Sequence, residues 1–245
     1  MEITVKELLE AGVYFGHPKR QFDPRIKPYL YGKRQGIYII DIEKTIEKIK
    51  ESGEFLKKVA SQGKKILFIG TKKQAQSPVK EIAEKCKMPY VNYRWIGGTL
   101  TNFKEIRKRI ERLEEIEKLE ESGKLNLYTK KEILLIQKEK EELKKKFEGI
   151  REMTDYPGAL IVVDVKREIN AIKEAKKVKI PVVGIVDTNG NPELVDFPIP
   201  ANDDGLKSIY TVLSKLADYI IEGMKEFGFI IENVEEEKIQ KSEEK

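Results

Sequence analysis

Between Tyr93 and Ile150 the chain carries two long charged segments whose apolar residues are too few to build a globular core of their own. The first places Phe103, Ile106, Ile110, Leu113 and Ile116 three and four apart, with Arg107, Lys108, Arg109, Glu111, Arg112, Glu114 and Glu115 between them. This is a narrow apolar stripe on a charged rod, the pattern of a coiled-coil strand. Ser122-Gly123 interrupts it, and Thr129-x-x-Glu132 reads as the capping box that opens a second helix. The second stripe is Ile133, Ile136, Leu143, Phe147 and Ile150, with Lys140 breaking one seam position. Stripes this narrow need each other, so the pattern predicts an antiparallel hairpin over 97–150. Arms of roughly twenty residues at ~1.5 Å per residue reach about 30 Å.

The rest of the chain must then make one body from two separated pieces, 1–96 and 151–231. Ile37–Ile40, Ile66–Ile69, Pro89–Val91, Ala159–Val163 and Pro181–Val186 read as buried strands, and Pro198–Pro200 brackets a short edge strand. Amphipathic patterns alternate with them: Ile42 to Ala60, a segment around Pro78, Ile169 to Val178, and Leu206 to Ile220. Apolar strands alternating with amphipathic helices predict a mostly parallel sheet covered on both faces. In this reading the hairpin enters between the third and fourth strands, and the body folds without it. Pro78 either starts its helix after a Ser77 cap or kinks it. From Glu232 to Lys245 the chain is acidic and nearly free of apolar residues, which predicts a disordered tail.

The formal net charge is +5 with 36% charged residues, so the body outside the acidic tail is more basic than the total. The single cysteine, Cys86, excludes an internal disulfide and fits a reducing cytosol. No stretch reads as a membrane span or a signal peptide. The heavy use of Lys, Glu and Ile reflects either surface ion pairs suited to heat or an AT-rich genome.

Positive charge concentrates between Gly16 and Arg34. Lys19, Arg20, Arg25, Lys27, Lys33 and Arg34 face one acid, Asp23, with Phe22, Tyr29 and Tyr31 among them. Three prolines exclude a regular helix or a central strand there. A loop of cations and aromatics suits RNA phosphates and stacking; an ordinary solvated basic loop is the competing reading.

A nucleotide-dependent enzyme is the rival class, because doubly wound sheets bind ligands at the carboxyl ends of their strands. Here those ends offer Asp41, Thr71, Lys72, Asp164 and Asp187. The Walker spacing and GxGxxG are both absent, and the lone histidine has no nucleophile partner in a recognisable motif. Trp95 reads as a packing anchor more readily than as a stacking platform. Arg94 reads equally as a phosphate contact or a junction hydrogen-bonder, and Thr101 or Asn102 as the cap of the first hairpin helix.

Seven separated pieces occur in order: Gly12-Val13-Tyr14-Phe15-Gly16-His17, Pro24-Arg25-Ile26-Lys27-Pro28-Tyr29, Ile39-Ile40-Asp41, Phe68-Ile69-Gly70-Thr71-Lys72, Arg94-Trp95-Ile96-Gly97-Gly98-Thr99-Leu100-Thr101-Asn102, Gly184-Ile185-Val186-Asp187-Thr188-Asn189 and Ile199-Pro200-Ala201-Asn202-Asp203-Asp204. Together they resemble the small-subunit ribosomal protein S-two family in its bacterial form. The resemblance implies a flavodoxin-like, three-layer α/β/α fold with a five-stranded, mostly parallel sheet and an inserted antiparallel coiled-coil hairpin. It implies a non-enzymatic, cytoplasmic, ribosome-bound protein that binds small-subunit rRNA between head and body. It also implies neighbouring ribosomal proteins as partners, among them S-one, which captures mRNA; no membrane or small-molecule substrate is expected. On that footing the expected RNA contacts are Lys19, Arg20, Arg25, Lys27, Lys33, Arg34, Lys72, Lys73, Arg94, Thr99, Asn102, Arg107 and Lys108. No cofactor is required. The resemblance does allow a divalent metal such as zinc at His17, Asp187, Asp203 and Asp204, against the alternative of a structural histidine and helix-capping aspartates. Tyr14 departs from the histidine of many bacterial members, and Pro78 falls where members continue a helix.

Overall fold

The computed structural model describes residues 3–243, with the side chains of 126, 127 and 229–243 outside the description. Of the stretch 232–245 expected to be disordered, the backbone of 232–243 continues the last helix, and 244–245 lie outside the described residues.

Every strand of the main sheet is a short apolar run. These are β4 (Ile66–Ile69), β5 (Tyr90–Val91), β6 (Ala159–Val163), β7 (Val182–Val186) and β8 (Phe197–Pro200), numbered in chain order after the three strands of a separate small sheet. They form a parallel five-stranded sheet in the order β5-β4-β6-β7-β8. In chain order that is 2-1-3-4-5, the doubly wound flavodoxin arrangement, with its topological switch between β4 and β6. Period-two alternation sorts the strand residues: Ile66, Phe68, Ile161 and Val163 face one apolar cluster, and Leu67, Ile69, Leu160 and Val162 face the other.

The first cluster is covered by α1 (Val5–Glu10), α2 (Ile42–Ala60), α3 (Gln76–Lys85) and α7 (Leu206–Glu243). The second is covered by α6 (Ile169–Lys177) and the inner ends of α4 (Phe103–Glu121) and α5 (Lys130–Phe147). Ile106, Phe147 and Ile150 share that cluster with Leu67 and Leu160, so the root of the helical pair is part of the body's packing.

Several expectations need correction. Ile37–Ile40 (β3) is not a strand of the parallel sheet. It pairs antiparallel with β1 (Phe15–Pro18) and β2 (Leu30–Arg34) in a separate three-stranded sheet, order β1-β3-β2. Its residues are mostly half-exposed, and the tight β2–β3 turn uses Gln35 and Gly36 at positive φ. The helical insertion therefore enters between the second and third strands of the main sheet. The Gly16–Arg34 segment is thus partly strand: its prolines sit at the end of β1 and in the 3-10 turn Pro24–Tyr29, positions that require no ladder N–H.

Pro78 does not start its helix, which begins at Gln76 without a Ser77 cap. It occupies the first turn of α3, where its missing N–H has no intrahelical acceptor to lose. Neither Thr101 nor Asn102 supplies a side-chain cap to α4. The capping box at Thr129 and Glu132 is formed.

Along α4 and α5 the charged residues pair across the helices. Arg112 meets Glu139 at 3.2 Å, Arg151 meets Glu117 at 2.6 Å, and Lys140, the seam interruption, reaches Glu120. Among the described residues no helix is long and apolar enough to cross a membrane.

Candidate functional site

The carboxyl ends of β4, β6 and β7 meet the start of α7 in a crevice packed with charge. Thr71, just after β4, donates its N–H to Glu168 Oε1 at 2.9 Å and its hydroxyl to the same oxygen at 2.6 Å. Arg167 Nε donates to Thr71 Oγ1 at 3.0 Å. Burial pushes the Glu168 carboxyl up despite those bonds. In a doubly wound sheet this is where a ligand's phosphate would take the loop N–H. Here the chain's own carboxylate holds that donor, which weakens the nucleotide-enzyme reading.

Beside it, Lys72 Nζ lies 2.5 Å from Asp203, 2.6 Å from Asp204 and 3.4 Å from Asp164. Its side chain is only 13% exposed. Burial opposes its charge, but the carboxylates outweigh burial and hold the ammonium protonated well above its usual range. Asp203 is buried next to Asp187 and Asp164, and its carboxyl is pushed up to about 7 against the pull of Lys72. Asp164 follows β6 at φ +67, the left-handed region that a non-glycine residue rarely adopts. In that conformation its Oδ1 accepts from the Arg167 N–H at 3.0 Å.

The four expected metal ligands do converge: His17, Asp187, Asp203 and Asp204 each offer an atom within 4.8 Å of the others. Gly16 makes this possible. A Cβ there would lie 2.4 Å from Thr188 Cγ2, and the close approach lets the His17 N–H donate to Thr188 Oγ1 at 2.7 Å. His17 Nε2 lies 3.0 Å from Asp204, and Nδ1 lies 3.1 Å from Asp187. The second contact is close but not aligned as a hydrogen bond, so Nδ1 is buried without a hydrogen-bond partner. Asp187 raises the His17 pKa above its usual 6.5, burial opposes it, and Asp204 and Asp203 add to the rise. In its neutral form this ring would offer a cation a ligand beside three carboxylates; protonated, it is the ion-pair partner of Asp187.

The expected RNA contacts separate into two groups. Lys19, Arg20, Lys27, Lys33, Arg34, Lys73 and Arg94 are exposed and have no carboxylate within 4.0 Å among the described residues. Asn102 is also exposed. Lys72 is withdrawn into the crevice. Thr99 is buried, its hydroxyl donating to the Ile96 carbonyl at 2.6 Å. Arg107 donates to the Arg151 carbonyl at 2.9 Å. Arg25 is held by Asp23 at 2.7 Å, and Lys108 by Glu105 at 2.7 Å.

Glu174 on α6 has no counterpart in the sequence reading. Its carboxylate accepts from Trp95 Nε1 at 3.0 Å, from the N–H groups of Gly98, Leu100 and Thr101 at 2.9, 3.1 and 3.1 Å, and from the Thr101 hydroxyl at 3.1 Å. Gly98, at φ +92, turns the loop around that carboxylate. Burial alone would raise the Glu174 carboxyl, but the donors win and hold it below its usual 4.5. Trp95 is thus an anchor that ties the start of the helical insertion to α6.

The chain is a doubly wound α/β protein whose strand-end crevice is filled by its own paired side chains, and among the described residues the exposed cations without a carboxylate within 4.0 Å lie outside that crevice. The ribosomal protein S2 family matches the sequence over residues 8–223. The chain belongs to that family, a non-enzymatic class of structural constituents of the small ribosomal subunit.

Proposed function

We propose that the protein binds small-subunit rRNA between head and body through the exposed cations of its N-terminal lobe, and works in the cytoplasm bound to the ribosome. The observation that carries this reading is that Lys19, Arg20 and Lys27 on the lobe are exposed and have no carboxylate partner among the described residues, set against the internal pairing of Lys72. Cations without protein partners are the ones that exchange counterions for phosphates. The α4–α5 pair acts as a coiled-coil assembly arm, clamped at its root by Glu174.

The same lobe supports docking of S-one. Tyr31 is 82% exposed, and with Val5, Leu9, Phe15 and Ile37 it leaves apolar surface open around two adjoining grooves of about 590 and 360 Å³. Exposed apolar area of this kind marks a protein contact. The test is incorporation into small subunits: Tyr31→Ala should leave rRNA binding intact and weaken capture of S-one. Equal capture removes the groove from that interface.

A divalent metal at His17, Asp187, Asp203 and Asp204 is a second element of the proposal, favoured by the partnerless Nδ1. When bound it would tie β1 to the β7 and α7 loops, sharing Asp203 and Asp204 with Lys72.

A further inference from the structure

At the free edge of the main sheet, β5 and the residues that follow it face the last turns of α5 across a cleft of about 410 Å³. Four lysines line it, Lys80, Lys144, Lys145 and Lys146, against two glutamates, Glu141 and Glu148. Lys146 is held by Glu142 at 2.9 Å, and Lys80 lies 3.8 Å from Glu84. Lys144 and Lys145 are exposed and have no carboxylate within 4.0 Å among the described residues. Tyr93, 50% exposed, also lines the cleft. Asn92 also lines the cleft, and its Nδ2 donates to the Gln76 carbonyl at 3.1 Å. The wall is tight: a Cβ on Gly149 would lie 2.2 Å from the Tyr90 carbonyl oxygen.

We infer that this cleft takes one unstacked nucleotide of the RNA, its base against Tyr93 and its flanking phosphates on Lys144 and Lys145. The inference rests on the rRNA-binding reading and adds a site to it. A cavity of a few hundred Å³ is the size of sites that enclose small ligands. Splayed bases of single-stranded RNA are recognised by stacking on exposed aromatic rings. Two ammonium groups without a carboxylate partner in the same cleft as such a ring supply phosphate contacts.

The test measures binding of the full chain to small-subunit rRNA as a function of salt. Lys144→Ala with Lys145→Ala should flatten the slope of log K against log salt by about 1.4, the share of two single-strand phosphates. Tyr93→Ala should lower affinity roughly 5- to 150-fold with the slope unchanged, and Tyr93→Phe should restore it, because stacking needs the ring and not the hydroxyl. All three positions are exposed, and unchanged thermal melting confirms that the variants fold. If these variants bind like the parent while Lys19, Arg20 and Lys27 variants lose slope, the cleft is not an RNA site although the protein is an RNA binder. If the parent itself fails to bind rRNA, both readings fall. If the lysine pair governs capture of a poly-glutamate peptide and leaves rRNA binding alone, the cleft belongs to an acidic protein segment and the inference is overturned.

Discussion

The crevice and the N-terminal lobe carry similar side chains under opposite physical conditions. In the crevice, Lys72, Asp164, Glu168 and Asp203 are wholly or largely withdrawn from water and are held by one another or by Thr71. On the lobe, Lys19, Arg20 and Lys27 stand in water with no protein partner among the described residues. The first set holds the fold together and the second is available to a polyanion. The sign and number of charges do not separate the two regions; desolvation and pairing do.

The largest effect that tests this contrast is loss of Lys72. Lys72→Ala leaves Asp203 and Asp204 without their ammonium, and breaking a buried pair from one side costs about 3–5 kcal/mol. Urea denaturation reads this as a fall in midpoint with unchanged m. A neutral result would place Lys72 with the free cations instead.

Next comes Glu174→Ala, which strands the donors of Trp95, Gly98 and Leu100. We expect a loss of about 2 kcal/mol, the scale of one or two buried donors left without an acceptor. The pH dependence follows from the lowered folded-state pKa. The stabilisation is fully present above the unfolded value of 4.5 and is lost as pH falls through the lower folded value. Acid titration of Trp95 fluorescence should show the anchor releasing below pH 4.5 in the parent and no such step in Glu174→Ala.

Within the insertion, Ile110→Ala should destabilise by about 2–5 kcal/mol because Ile110 is fully buried. Leu134→Ala, more than half exposed, should change stability by no more than about 0.5 kcal/mol. A difference in thermal melting between the two variants measures how far the packed root differs from the solvated outer face.

Much of the body could be read directly. Continuous apolar runs such as Ala159–Val163 admit few alternatives to a buried parallel strand, and the Thr129–Glu132 capping box depends only on neighbours three residues apart. The small sheet was hidden because Pro18, Pro24 and Pro28 argue against strands, while Ile37–Ile40 looks like a core strand although it lies half-exposed in an antiparallel ribbon. Of the candidate site, the aspartates were legible because Asp187 and Asp203 follow strands of a parallel sheet, which gathers those ends on one side, whereas His17 reaches them from the separate antiparallel sheet. The internal pairing of Lys72, which the sequence placed at a strand end and among the RNA contacts, and the role of Glu174 were not legible, because each finds its partners more than seventy residues away in the chain.

The metal proposal sharpens the crevice side. Elemental analysis of native protein should find a divalent ion that His17→Ala loses, while the lobe cations remain irrelevant to its retention. A metal-free native sample leaves the pocket as a histidine–carboxylate cluster.

The most direct measurement is the salt dependence of rRNA binding for the triple variant Lys19→Ala, Arg20→Ala, Lys27→Ala, compared with Arg25→Ala alone. The triple variant should flatten the slope of log K by roughly 2–2.7, at about 0.7–0.9 for each phosphate that is no longer neutralised. Its folding stability should stay within about 0.5 kcal/mol of the parent. Arg25→Ala, already paired with Asp23, should change the slope little. A triple variant with the parent's slope would contradict the account.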